Sequence, residues 1–428
     1  MFSGRCTDVR NRARIEDRRV RNNARYNYLY FAGAALVGLH IADDAFIQPQ
    51  PGTGAGDHLV SGLVPLVLLA LAAWAYPRMR GGARAVVALA SAVLAVASGA
   101  EAIYYSGHGG LQGDDYTGLL ALAAAPPLVG LGISELWRSR RLDERHLRRY
   151  PRRLIKTVVI TFGVSLVALP FLIAYVGGHV ARGEVPMLDV PHQDAVLHTD
   201  DGLELRGWYV PSRNGAAVIV FPGRKGPLGR ARMLARHGYG VLLYHRRGEG
   251  QSQGDPDSFG WDFNGDIRAG IDFLRHRPDV DPARIAGIGL SVGGEMMLQT
   301  ASETTDLAAV VAEGAGARTA SEEIDDASGP DKVLAAISYG ARDLTEIVVQ
   351  GRMPPTNLKR LVPRIAPRPV LFLHAGNKEV GQLGPEYYRA AGESKQIWQH
   401  EGGHTQGFAT QPREYERRVV GFLDKALR

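Results

Sequence analysis

Five long apolar stretches crowd the first 180 residues of this chain, and nothing else in the sequence restricts its folding so severely. They run over 26–46, 59–76, 85–105, 117–136 and 156–177. Each is about as long as the ~20 helical residues that cross a hydrocarbon core. Inside a bilayer the backbone finds no water to bond, so runs of this kind must be helices. Pro126, Pro127 and Pro170 fall within two of them, and transmembrane helices tolerate such kinks better than soluble ones do. Aromatic residues gather near the ends (Trp74, Tyr76, Tyr104, Tyr105, Tyr116, Trp137, Tyr175), where an interfacial belt belongs. A large soluble helical core would show polar residues on every turn, and these runs do not. Residues 1–179 therefore read as an all-α transmembrane domain of about five helices, with the lipid bilayer as its partner.

Charge follows the same division. The chain of 428 residues carries a net charge of +6, yet residues 1–178 hold 20 basic and 12 acidic side chains, and the remainder is slightly acidic. Eight arginines precede residue 26, Arg78, Arg80 and Arg84 follow the second stretch, and nine basic residues lie between Arg138 and Lys156. The intervening loops carry Asp43, Asp44, Asp57, Asp114 and Asp115 instead. Positive loops stay cytoplasmic, so the expectation is an N-terminus inside and residues 180–428 outside the cell membrane. The first stretch could alternatively act as a signal segment, which leaves the downstream topology unchanged. With the basic excess explained by inner loops, no nucleic-acid partner is expected. A single cysteine, Cys6, excludes an intramolecular disulfide and any multi-cysteine metal site.

Beyond Gly178 the pattern changes to short β-rich runs alternating with helical ones. Asp200-Asp201-Gly202 joins two strands, Ala195–Thr199 and Leu203–Val210, as an Asp-Gly hairpin. Strands are then expected at 217–221, 240–244, 285–290, 308–312, 369–374 and 396–399. Helices are expected at 228–236, 266–275, 293–301, 385–391 and 414–426. This alternation predicts an α/β domain over 180–428, a mostly parallel sheet with helices on both faces. The stretch near 317–365 breaks the rhythm and reads as a lid insertion.

Gly289-Leu290-Ser291-Val292-Gly293 matches G-x-S-x-G directly between an expected strand and an expected helix. A nucleophilic serine on so sharp a turn needs small neighbours, which Gly289, Gly293 and Gly294 supply. The N–H of Val292, at a helix N-terminus, is placed to meet a developing oxyanion. Val218–Phe221 runs into Pro222-Gly223-Arg224-Lys225-Gly226, where Arg224 is the expected second N–H donor. After the strand ending at His374 comes Glu379, and after the final strand comes His404. Serine, acid and histidine in this order fit a triad in which His404 deprotonates Ser291 and Glu379 orients the imidazole. Glu401 and Asp306 are the alternative acids. His400-Glu401-Gly402-Gly403-His404 also reads as H-E-x-x-H, but that zinc motif needs a helix, which two glycines after a strand oppose. Neither a metal nor a cofactor is expected.

With these residues in place, 194–428 resembles the α/β-hydrolases, in the branch of prolyl-oligopeptidase-like and bile-acid acyltransferase/thioesterase-like enzymes. The resemblance rests on Leu205-Arg206-Gly207-Trp208-Tyr209-Val210-Pro211, Phe221-Pro222-Gly223, the segment Tyr244–Ser252, Gly289–Gly293 and Gly403-His404. Pro222 stands where the family's oxyanion loop usually has histidine, and Glu379 where its acid turn usually has aspartate. The resemblance implies a serine hydrolase acting on a small acyl substrate (ester, thioester or lactone, or alternatively a peptide) through an acyl-enzyme. Arg224, Lys225, Arg246 and Arg247 are expected on loops bordering the site, either selecting an anionic substrate or forming a solvated rim. A non-catalytic sensor or scaffold is the competing class. Transport through the helices is disfavoured because Glu101 is their only expected buried charge.

Overall fold

The structure is a computed structural model that describes residues 24–107, 111, 113–138, 155, 162, 166–179, 185–223, 227–376 and 383–428. The described residues form two compact units: 24–49, 55–176 and 348–351 in one, 50–54, 177–347 and 352–428 in the other.

Four helices of the first unit are long and apolar enough to cross a membrane: α1 Ala24–Ile47, α2 Leu59–Arg78, α3 Gly81–Ser106 and α4 Asp115–Arg138. Of the fifth expected stretch, a shorter apolar helix is described, α5 Leu166–His179; most of 156–165 lies outside the described residues. Residues 1–23 and the basic stretch 139–154 lie outside them too. Where α3 and α4 meet, small side chains dominate the interior. Ala85, Ala88, Ala92, Ala95 and Ala102 of α3 are buried with Ala121, Ala124 and Ala125 of α4. A methyl group on Gly99 would stand 2.5 Å from Leu122 Cβ and 3.1 Å from the Gly118 carbonyl, so the two backbones pass too closely for anything larger. Leu63, Val67, Leu68 and Leu71 of α2 point outward instead. Small residues between helices and large apolar ones outside are the arrangement lipid favours, because lipid provides no hydrophobic force between helices. One expectation needs correction: Asp43, Asp115 and Glu135 are buried in addition to Glu101. They sit in the terminal turns of their helices, where Glu135 lies 3.8 Å from Arg84 and from Arg138.

The second unit is built on one eight-stranded sheet. Its elements in chain order are β1 Gln193–His198, β2 Glu204–Val210, β3 Ala217–Phe221, α6 Leu228–Arg236, β4 Gly240–Tyr244, α7 Asn264–Arg275, β5 Ile285–Leu290, α8 Val292–Glu303 and β6 Ala309–Glu313. Then follow α9 Ala320–Asp326, α10 Gly329–Val349, α11 Leu358–Leu361, β7 Val370–Ala375, α12 Gly384–Ala390, β8 Lys395–His400, α13 Gly407–Thr410 and α14 Pro412–Ala426. The strand order is β1-β2-β4-β3-β5-β6-β7-β8. Both pairings of β2 are antiparallel and all the others parallel. The Asp-Gly hairpin forms as expected, with Gly202 at φ +87°.

Alternation along the strands divides the core. Ala217, Ile219 and Phe221 of β3 face one layer with Ile267, Ile271 and Leu274 of α7 and Met296 and Met297 of α8. Val218 and Val220 face the other, with Met233 and Leu234 of α6 and Val419, Phe422 and Leu423 of α14. Fully burying a side chain of this size contributes about 1.5–3 kcal/mol, and a one-residue register slip would exchange the two faces. The register is therefore firmly held. It aligns Phe221 with Gly289, Leu290 with Glu313, and Glu313 with Leu373. The carboxyl ends of β3, β5, β6 and β7 thus lie side by side, where open α/β sheets bind ligands. The insertion between β6 and β7 is helical, made of α9 to α11. Its first helix is held by a capping box between Thr319 and Glu322.

Candidate active site

Ser291 stands alone between the end of β5 and the start of α8, at φ 54° and ψ −127°. A side chain in this left-handed region costs on the order of 1–3 kcal/mol and persists only where its surroundings impose it. They do so here through close approach. A Cβ on Gly289 would meet the Gly293 carbonyl oxygen at 2.1 Å, and one on Gly293 would meet the Pro222 and Phe221 carbonyls at 2.7 and 2.8 Å. The Ser291 N–H donates to the Glu313 carbonyl at 2.8 Å, tying the turn to the end of β6. From the loop after β8, His404 brings Nε2 to 2.8 Å from Ser291 Oγ. Thr405, the next residue, is itself left-handed at φ 55°. Gly314 lies under the imidazole, where an added Cβ would be 3.0 Å from His404 Cε1 and 3.1 Å from Nδ1.

Ser291, His404 and Val292 are therefore brought together. Val292 opens α8, and the first N–H groups of a helix have no acceptor within it. The loop after β3 reaches the same place: a Cβ on Gly223 would stand 2.6 Å from the Leu290 carbonyl and 2.9 Å from Ser291 Cβ. Arg224, Lys225 and Glu379 lie outside the described residues. Of the alternative acids, Asp306 precedes β6, at the end of that strand opposite Glu313, and is bonded to Arg275 and Thr304. Glu401 is exposed. His400 ends β8 and its ring is buried, and 401–405 form turns instead of the helix that H-E-x-x-H requires.

The expectation for Arg246 and Arg247 is overturned. Both are buried and internally paired, Arg246 with Glu249 and Arg247 with Asp266 at 2.7 Å and Asp201 at 2.9 Å. They brace the loop after β4 and do not form a solvated rim. Burial opposes the charge of each, and the facing carboxylates outweigh it.

Other groups around the site carried no motif. Asp257 accepts four backbone N–H bonds, from Phe259, Gly260, Trp261 and Asp262. This fixes a loop whose Gly260, at φ +67°, sits against Val292 and Met296. Glu295, one turn along α8 from the serine, is buried and accepts the Gly316 N–H at 2.8 Å. Burial raises its pKa to about 7 against the lowering effect of that bond and of Arg318. Glu313 is wholly buried beneath the turn and is bound by Arg230 and Tyr415. The available signal was a carboxylate directly after an apolar strand, since a buried acid requires partners. Among the described residues, one group has carboxylates close enough together for a metal: Asp44, Glu101 and Asp114 in the helical unit. Clustered acids alone do not make a metal site.

Comparison with known proteins follows these landmarks. Residues 180–356 match the family model described as X-Pro dipeptidyl-peptidase (S15 family). An uncharacterized protein of Mycobacterium tuberculosis is 39% identical over 126 residues, 28% of this chain and 44% of that protein, so the chain spans less than half of it. YfhR of Salmonella typhi is 26% identical over 302 residues, 65% of this chain and 98% of its own length. Among solved structures, the α/β hydrolase GrgF from Penicillium is 21% identical, with a TM-score of 0.45, over 56% of this chain and 99% of its own. An esterase of Pyrococcus furiosus is 18% identical, with a TM-score of 0.47, over 59% of this chain and 100% of its own. The strand order and the serine turn at the end of β5 give residues 185–428 an α/β-hydrolase fold, and the match to the S15 family model falls within it.

Proposed function

We propose that this chain is a membrane-anchored serine hydrolase that cleaves an ester, thioester or lactone through an acyl-enzyme. The observation that carries this reading is His404 Nε2 at 2.8 Å from the Oγ of Ser291, a serine held in a strained turn at the carboxyl edge of the sheet. A strained residue held beside a hydrogen-bonded base is a mark of function. His404 takes the hydroxyl proton as Oγ attacks the acyl carbon, and the carbonyl oxygen becomes an oxyanion facing the N–H of Val292 and, from the loop after Gly223, that of Arg224. Collapse expels the leaving group with the proton that His404 returns. Water then attacks the acyl carbon as the same imidazole takes its proton, and that proton passes to Ser291 Oγ as the Oγ–acyl bond breaks and the acid leaves. Glu379 orients and stabilises the imidazolium. The four apolar helices support a membrane anchor, and the arginine-rich loops support an extracytoplasmic hydrolase domain.

The match to an X-Pro dipeptidyl-peptidase model favours a second reading, a serine peptidase using the same residues. A fluorophosphonate probe tests their common core, because the adduct must map to Ser291 and vanish in Ser291→Ala. Labelling that survives in Ser291→Ala, or an unlabelled wild-type chain, refutes the serine mechanism and leaves the binding scaffold. A panel of p-nitrophenyl esters, acyl-thioesters and X-Pro amides then separates the two readings by relative kcat/KM.

A further inference from the structure

Beneath the candidate site lies a second buried cluster that proton transfer itself does not use. Arg230, in the first turn of α6, donates from Nε to Glu313 Oε2 at 2.9 Å and from Nη2 to Glu313 Oε1 at 2.7 Å. Tyr415 of α14 donates to the same Oε2 at 2.8 Å and receives from Arg230 Nε at 3.0 Å. Glu313 is wholly buried and Arg230 nearly so. A paired and fully bonded buried charge of this kind adds little to stability over apolar residues of the same size, so its presence calls for another role. Its connections suggest one. The Glu313 carbonyl holds the N–H of Ser291 at 2.8 Å. Arg230 Nη2 also donates to the Thr405 carbonyl at 2.8 Å, directly beside His404. And α6 is the helix into which the loop after Gly223 leads. One guanidinium thereby joins the helix following the oxyanion loop, the strand end that holds the nucleophile and the loop that carries the base.

From this geometry we infer that Arg230 is a positioning residue that fixes the Ser291–His404 distance, with Glu313 as its anchor and the Thr405 carbonyl as its lever. This rests on the serine-hydrolase reading above. Thr405 is held in a left-handed conformation and requires an outside restraint to stay there. Without the Arg230 bond its loop relaxes, and a displacement of about 1 Å between reacting groups lowers the rate on the order of 10²-fold. Lysine keeps the charge beside Glu313, but its single ammonium lacks the planar fork that meets both carboxylate oxygens while reaching a third acceptor.

Two full-length variants in detergent test the inference. Arg230→Lys preserves the charge. The double variant Arg230→Met with Glu313→Gln removes both charges together, so that neither is left buried alone. The expected result is a rate of fluorophosphonate labelling at Ser291 that falls about 10- to 100-fold in the double variant and less in Arg230→Lys. On an ester the wild type turns over, kcat should fall to match while KM changes less than about two-fold, all well below each variant's melting temperature. A merely structural role would lower the melting temperature and leave kcat of the folded protein unchanged. Labelling of folded double variant at the wild-type rate overturns the inference and leaves the hydrolase reading intact. A wild-type chain that is never labelled overturns both.

Discussion

Replacing Gly223 by alanine examines how closely the loop after β3 must approach the nucleophile. The new methyl group would lie 2.6 Å from the Leu290 carbonyl oxygen and 2.9 Å from Ser291 Cβ. Ordinary van der Waals contact begins near 3.4 Å, so the loop and the turn must separate by roughly 0.8 Å along the line to Leu290. The turn cannot yield, because Ser291 is bonded to Glu313 and Gly289 and Gly293 are themselves packed on backbone. On the proposed assignment of residue 224 as an oxyanion donor, the chain after Gly223 moves and that N–H is drawn away from the oxyanion. Loss of one such donor lowers kcat on the order of 10²–10³-fold. A shift of less than 1 Å weakens the bond without abolishing it, so a fall of about 10- to 100-fold is expected with little change in KM. The assay is steady-state hydrolysis of a p-nitrophenyl ester by purified wild type and Gly223→Ala, with a thermal melt of each. At least half of wild-type kcat with an unshifted melt would show that the loop contributes no donor and refute the reasoning.

Ser291→Gly should abolish labelling and yet raise the melting temperature slightly, because glycine adopts φ 54° without the strain that serine bears; a lowered melt would argue against strain at the turn. Glu379→Gln should retain more activity than His404→Ala, since the acid orients the imidazole and the histidine moves the proton; full activity in Glu379→Gln would assign the acid to another residue. Glu295 titrates near pH 7 in the folded chain against an ordinary value of 4.5, so folding binds its proton. Its contribution is complete below pH 4.5 and is lost as pH rises to about 7, to at most about 3 kcal/mol. Glu295→Gln should therefore gain in melting temperature on the wild type between pH 4.5 and 7 and hold a constant difference above; a difference independent of pH would exclude this titration. Protease added to intact spheroplasts should release a soluble hydrolase fragment while a tag at residue 1 stays protected, and cleavage only after lysis would place residues 180–428 in the cytosol.

Much of this molecule was legible from local pattern. The apolar runs at 26–46, 59–76, 85–105 and 117–136 each contain a long helix, because a membrane-length run has no alternative way to satisfy its backbone. Strands 217–221, 240–244 and 285–290 lie where period and composition placed them. Small displacements, such as β6 running 309–313 and not 308–312, matter more than their size suggests, because they bring Glu313 into the strand and beneath the serine. The sequence also indicated that Ser291 occupies a sharp strand-to-helix turn, since glycines on both sides of a serine leave room for backbone to approach.

What only the tertiary structure decided concerns partners far apart in the chain. Arg247 looks like a surface cation on a glycine-rich loop, but the fold encloses it with Asp201 and Asp266, 46 and 19 residues away. Arg230, Glu313, Thr405 and Tyr415 are separated by up to 185 residues, and no periodicity links them. The physical reason is the range of the forces involved. Hydrophobic periodicity and turn chemistry act between near neighbours and are written into short windows of sequence. The partner of a buried charge is chosen by whichever strand ends and loops the sheet order brings within about 3 Å of it, and that order is a property of the whole chain.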